Sequence, residues 1–209
     1  MIITLPLADA VSLTVCCPSS GVRLRGRELR VADRAAAGKA WRLALEATGL
    51  SPDNAAGSRA HTEGAGAALV GPRGRVLGVD LVSPSRLTPR HARAILDPHE
   101  WEALPVPLAV RGALGWGLKE AAAKALGNPA RYFPAGLTIT SSTNRVEVIA
   151  RDEPRSRMAG HWKEIGSLLC VWVIGAALKE TSGCAETYRH DFAVEDHFGT
   201  RQWPGGRAQ

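Results

Sequence analysis

RGALGWGLKEAAAKALGNP, residues 111–129, reads as an alanine-rich helix over Arg111–Leu126 that is stopped by Gly127-Asn128-Pro129. Just upstream, Pro105 and Pro107 interrupt the chain, and Asp97-Pro98 supplies an N-cap and first helical residue for a shorter helix running through Leu104. Pro89–Leu96 reads as another short helix. Downstream, Leu137–Thr140, Val146–Ala150 and Leu168–Ile174 read as strands. The first part of the chain follows a similar order. A helix over Leu29–Leu50, ended by Gly49 and Ser51-Pro52, is followed by a loop rich in Pro, Asn, Gly and Ser. Apolar runs Ala65–Val70 and Val76–Val82 come next, separated by the turn composition Gly71-Pro72-Arg73-Gly74, which predicts an antiparallel hairpin. Helix, strand, strand thus occurs twice, and the expected class is α+β: two similar α/β lobes, a pseudo-dimer. The expected division is an N-terminal lobe over 1–108 and a C-terminal lobe over 109–209.

Within the 111–126 helix, Trp116, Glu120 and Lys124 are spaced i, i+4, i+8 and project from one face, with Lys119 a step round. Taken alone, Glu120 and Lys124 read as a surface ion pair worth about a few tenths of a kcal/mol. Asp80 interrupts the apolar strand Val76-Leu77-Gly78-Val79-Asp80-Leu81-Val82. It is either a turn residue at the strand end or a buried carboxylate, which must then be paired, hydrogen-bonded or bound to a metal. If Asp80 and Glu120 converge, they offer hard oxygen ligands to Mg²⁺, which typically takes one or two carboxylates, waters and substrate phosphates.

These residues resemble the 4′-phosphopantetheinyl transferase superfamily, in its surfactin-type, single-chain, two-lobed branch. Trp116-Gly117-Leu118-Lys119-Glu120-Ala121-Ala122-Ala123-Lys124 is similar to the family's W-x-x-K-E-A-x-x-K motif, and Gly78-Val79-Asp80 to its first metal motif. Ala60-His61-Thr62 is similar to the S-H-S/T loop, with Ala60 where a serine is usual. Leu96-Asp97-Pro98-His99-Glu100 resembles the glutamate-ending helix start that many members carry between the metal motifs. The motifs fall in the family's order over roughly residues 30 to 175.

The resemblance implies transfer of the phosphopantetheine arm of coenzyme A to a serine of an acyl, aryl or peptidyl carrier protein, releasing adenosine 3′,5′-bisphosphate. Coenzyme A is the co-substrate and Mg²⁺ the metal, held by Asp80 and Glu120. Asp80, Glu120 and Lys124 are the implied catalytic residues. Lys124 contacts pyrophosphate oxygens, and Glu120 stands where the family's proposed base does. Lys119 is implied as a further cofactor contact, and Trp116 as packing between lobes. His61 is carried over as a ligand of the coenzyme A 3′-phosphate, with Lys39 and Arg42 placed near the same group. Two departures stand out: the loop before His61 lacks a G-K-P segment, and Val82 occupies a place that is acidic in many surfactin-type members. A coenzyme A or carrier-binding homologue without catalysis is the alternative they leave open.

The 209 residues carry 26 Lys plus Arg against 20 Asp plus Glu, a formal charge of +6 that favours anionic partners without choosing among them. Arg23, Arg25, Arg27, Arg30, Arg34, Lys39 and Arg42 cluster in one stretch opposed only by Glu28 and Asp33. Arg86, Arg90 and Arg93, following Asp80, are expected to dock a carrier that is acidic around its serine. A nucleic-acid-binding module is disfavoured by 5% aromatics and the absence of a zinc-finger or RRM signature. No G-x-G-x-x-G opens a helix, and no G-x-x-x-x-G-K-S/T is present. The apolar run Ser167–Leu178 falls short of the roughly 20 residues a bilayer span requires. Cys16, Cys17, Cys170 and Cys184 form no C-x-x-C pair and are expected to pack as reduced thiols. The expectation is therefore a cytoplasmic monomer with no membrane segment or secretory signal and a frayed polar tail over 202–209.

Overall fold

A computed structural model describes residues 1–18, 25–142 and 145–176. It is an α+β structure with two antiparallel sheets. The first contains β1 (Ile2–Pro6), β2 (Ser12–Cys16), β3 (Ala55–Thr62) and β4 (Ala65–Pro72), in the order β1-β2-β4-β3. The second contains β5 (Val76–Val82), β6 (Leu137–Ser142), β7 (Arg145–Ala150), β8 (Glu153–Ile165) and β9 (Leu168–Gly175), in the order β5-β9-β8-β7-β6. The helices are α1 (Gly26–Thr48), α2 (Pro89–Ile95), α3 (Pro98–Ala103), α4 (Leu108–Ala125) and the single turn α5 (Pro129–Tyr132).

The hairpin expected between Ala65–Val70 and Val76–Val82 does not form. Both edges of β4 are taken, by β2 on one side and β3 on the other, so β5 has no backbone groups left to pair with there. It crosses instead to the second sheet and pairs with β9, Asp80 opposite Val171. The loop expected after the first helix contains β3. Its sequence AAGSRAHT has little strand propensity of its own, and it is extended because it pairs with β4 from Ala55↔Pro72 to Thr62↔Ala65. β1, β2 and β8 are further strands that were not anticipated. Cys184 and residues 202–209 lie outside the described residues. Cys16, Cys17 and Cys170 are free thiols as expected.

Three apolar clusters hold the layers. Leu13, Val15, Ala67 and Leu69 of the first sheet meet Leu77, Val79, Leu81, Cys170 and Trp172 of the second in one buried core. On the outer face of the first sheet, Ala40 and Ala44 of α1 pack on Cys16, Ala68 and Val70. On the outer face of the second, Leu114 and Leu118 of α4 pack with Val82, Val171 and Val173. β5 is buried along its whole length, its odd residues facing the core between sheets and its even residues facing α4.

The glycines decide how closely helix and sheet approach. A Cβ at Gly78 of β5 would lie 1.9 Å from the Ala121 carbonyl oxygen of α4, and one at Gly66 of β4 would lie 2.1 Å from the Ala37 nitrogen of α1. Each sheet therefore has one helix seated almost against backbone. Gly78→Ala is expected to push α4 off β5, destabilising the fold by about 1–3 kcal/mol. Thermal unfolding of the variant checks this, and an unchanged midpoint would show that α4 has room to spare.

Candidate functional site

The close seating at Gly78 brings the even face of β5 against α4 one pleat further on. There Lys124 Nζ lies 2.7 Å from Asp80 Oδ1 and 3.4 Å from the Val79 carbonyl oxygen. Asp80 is 9% exposed, so it is the buried, paired carboxylate of the two sequence alternatives and not a turn residue. Glu120, one turn before Lys124 on α4, is half-buried and shares the field of both groups. Burial pushes its carboxyl above the usual carboxylate range, and the nearby Asp80 charge adds to that while Lys124 works against it. Burial alone would lower the Lys124 ammonium, but Asp80 and Glu120 outweigh it and hold it above its ordinary value. The Asp80–Lys124 ion pair thus lies between β5 and α4, with Glu120 near enough for its charge to act on Lys124 and to feel Asp80. Glu120 and Lys124 are not the isolated surface pair that their spacing alone describes.

Lys119 points elsewhere. Its side chain is 2% exposed, and Nζ donates at 2.8 Å both to Glu100 Oε2 and to the Ile95 carbonyl. Glu100, 1% exposed, accepts in addition from the backbone N–H of Asp97 at Oε2 and of Ile139 at Oε1, each at 3.0 Å. Together these bonds tie α2, α3, α4 and β6 to one another. Lys119 reaches a ligand only by giving up this pairing. Asp97 and Glu100 form a reciprocal capping box, whose D-x-x-E signature is present in the sequence, but the Lys119 partner is not signalled there.

Trp116 packs edge-on against Phe133, ring centroids 5.0 Å apart, on the α4 side of the second sheet. Val82 is 5% exposed in the same cluster. Arg86 follows β5 in a 3₁₀ turn, and Arg90 and Arg93 lie exposed on α2.

His61 sits at the end of β3, 48% exposed, its Nδ1 3.8 Å from Asp33 Oδ2 of α1. The turn after it is joined to the segment leaving β5 by an ion pair of 2.8 Å between Arg86 Nε and Glu63 Oε1. Lys39 and Arg42 are exposed on α1. Arg42 follows Asp33 by about two and a half turns at 3.6 residues per turn, which puts it on the opposite face. Asp33 was visible in the sequence only as an acid within a basic stretch.

No described protein family matches the chain, and no curated protein matches it. Among solved structures it is similar to the crystal structure of Thermotoga maritima holo-[acyl-carrier-protein] synthase at 18% identity and a TM-score of 0.43. The match covers 50% of this chain and 66% of that one, just under two thirds of its length. Among the described residues, no helix is long and apolar enough to cross a membrane.

Proposed function

We propose that this protein transfers the 4′-phosphopantetheine arm of coenzyme A to a serine hydroxyl of an apo acyl or peptidyl carrier protein, releasing adenosine 3′,5′-bisphosphate. The observation that carries the reading is the 2.7 Å pairing of Lys124 with Asp80, with Glu120 in the field of both, which joins the two sequence motifs that resemble the surfactin-type transferases. In the reaction the serine Oγ attacks the pantetheine-side phosphorus of the pyrophosphate. The bond from that phosphorus to the bridging oxygen breaks, and the nucleotide leaves with the electron pair. Glu120 accepts the serine proton, and the Lys124 ammonium balances charge gathering on the phosphate oxygens.

The donor set fits Mg²⁺. Among the described residues no three metal-ligating side chains cluster, but Asp80 and Glu120 give two hard oxygen donors, and substrate phosphates and water complete such a shell in enzymes of this chemistry. Asp80 and Glu120 would hold the ion, which when bound neutralises pyrophosphate charge. Val82 contributes no donor, so the affinity is expected to be modest. Because the Glu120 carboxyl is held above its ordinary range, protons compete for it up to a higher pH than for a free glutamate. Apparent Mg²⁺ affinity and activity should therefore rise together with pH across that raised range. Magnesium titrations at a series of pH values test this, and an affinity flat in pH would remove Glu120 from the metal site.

His61 belongs to the same reading as a contact of the coenzyme A 3′-phosphate, with Lys39 as a subsidiary cation; Arg42, on the face of α1 away from Asp33, and Lys119, paired inward with Glu100, have no part in it. The lobes 1–108 and 109–209 belong to it as well, with β5 of the first pairing with β9 of the second. Arg86, Arg90 and Arg93 would meet the acidic surface of the carrier. Reversing their charges is expected to raise the carrier KM several-fold with kcat unchanged. An unchanged KM would leave the three as a solvated face.

The deciding experiment is the intact mass of a panel of apo carrier proteins after incubation with the protein, coenzyme A and Mg²⁺. One added phosphopantetheine, absent with Glu120→Gln, establishes the transferase. Coenzyme A binding without any addition establishes the non-catalytic homologue instead.

A further inference from the structure

The buried acid that faces His61 has no part in the chemistry at Asp80. Asp33 stands on the sheet-facing side of α1, 8% exposed, one turn before Ala37, where the missing Cβ of Gly66 lets α1 approach β4. Gly66 is the register partner of His61, so the same close approach that seats the helix carries the Asp33 carboxylate to the turn between β3 and β4. One oxygen, Oδ1, accepts the backbone N–H of Gly64, and the other, Oδ2, faces His61 Nδ1. The turn holds Glu63 at φ 53° and Gly64 at φ 80°, and a left-handed non-glycine residue needs such outside support. Arg86 supplies a second hold on it through Glu63.

We propose that Asp33 is a positioning residue for coenzyme A: it anchors the turn through Gly64 and fixes the ring of His61 through Nδ1, so that Nε2 is the nitrogen presented to the 3′-phosphate. The proposal rests on the reading of His61 given above. The division of labour follows from the chemistry of imidazole, in which the partner of one ring nitrogen decides what the other offers. Here that partner is a carboxylate on a helix with little freedom to move, while the ring itself stays half in solvent. The side chain that would touch ligand is thus on an exposed strand end, and the group that orients it is in the packed layer behind.

Asp33→Asn tests this because the amide oxygen can still accept from Gly64 while the charge facing His61 is lost. Steady-state kinetics with coenzyme A and with 3′-dephospho-coenzyme A are compared for the parent, Asp33→Asn, His61→Ala and the double variant. The expected result is a KM for coenzyme A raised about fivefold in Asp33→Asn, with kcat held and the dephospho substrate unaffected. In the His61→Ala background the same change should add nothing. An effect of His61→Ala on the preference between substrates, with none from Asp33→Asn, overturns the positioning role and leaves the reading of His61 intact. Equal loss with both substrates assigns Asp33 to the fold alone and overturns it too. If neither variant alters the preference, the assignment of His61 fails and the proposal with it.

Discussion

Glu120→Gln is expected to lower the rate of phosphopantetheine transfer by about 100- to 10,000-fold, the range that a general base contributes. The substitution keeps size and shape, so α4 stays on β5 and the Lys124–Asp80 pair at 2.7 Å stays closed. What disappears is the proton acceptor and one of two carboxylates beside the ammonium. Loss should therefore appear chiefly in kcat, with the 3′-phosphate contact proposed for His61, on another element, left in place. Asp80→Asn should be comparably damaging by a different route: it removes the charge that holds Lys124 in place. Single-turnover mass spectrometry on one carrier separates the cases. A Glu120→Gln protein retaining a tenth or more of the parental rate would exclude the base.

Lys119→Met is expected to be the most damaging substitution for stability. The ammonium and Glu100 are 2% and 1% exposed, so removing the cation strands a carboxylate in the interior, a loss of about 3–5 kcal/mol. Glu100→Gln together with Lys119→Met should recover part of that, since the amide carries no charge and its oxygen still accepts from Ile139. Denaturant midpoints of the two single variants and the double provide the measurement. A Lys119→Met midpoint close to the parent would mean that the charge of Glu100 is relieved in some other way.

What could be read from the sequence was whatever local pattern determines. α4 and its glycine stop, the Asp97 cap of α3 and the apolar run of β5 all carry their own signals, and an acid within that run marked Asp80 before any coordinates. The strand β3 was invisible because its small, polar residues are extended only by their partners in β4. The hairpin failed for a related reason: a turn composition shows that the chain bends but not whether the neighbouring strand has an edge free. At the site, helical spacing aligned Glu120 and Lys124 correctly. Lys119, one residue away, is turned inward by Glu100, and no periodicity in α4 announces a partner nineteen positions upstream. Asp33 was missed for the same reason, its partners lying at the far end of β3 and in the turn beyond.

The pairing of β5 with β9 sets the order in which a growing chain can complete itself. Residues 76–82 leave the ribosome early, yet their backbone partners are residues 169–175. Everything between them must be synthesised before the strand bearing Asp80 gains its neighbour, a contact of long sequence separation that closes late in folding. Until then β5 is a hydrophobic segment with neither edge paired and a lone acid within it. A chain truncated before β9 would contain both sequence motifs intact and still lack the sheet that holds the first of them against α4.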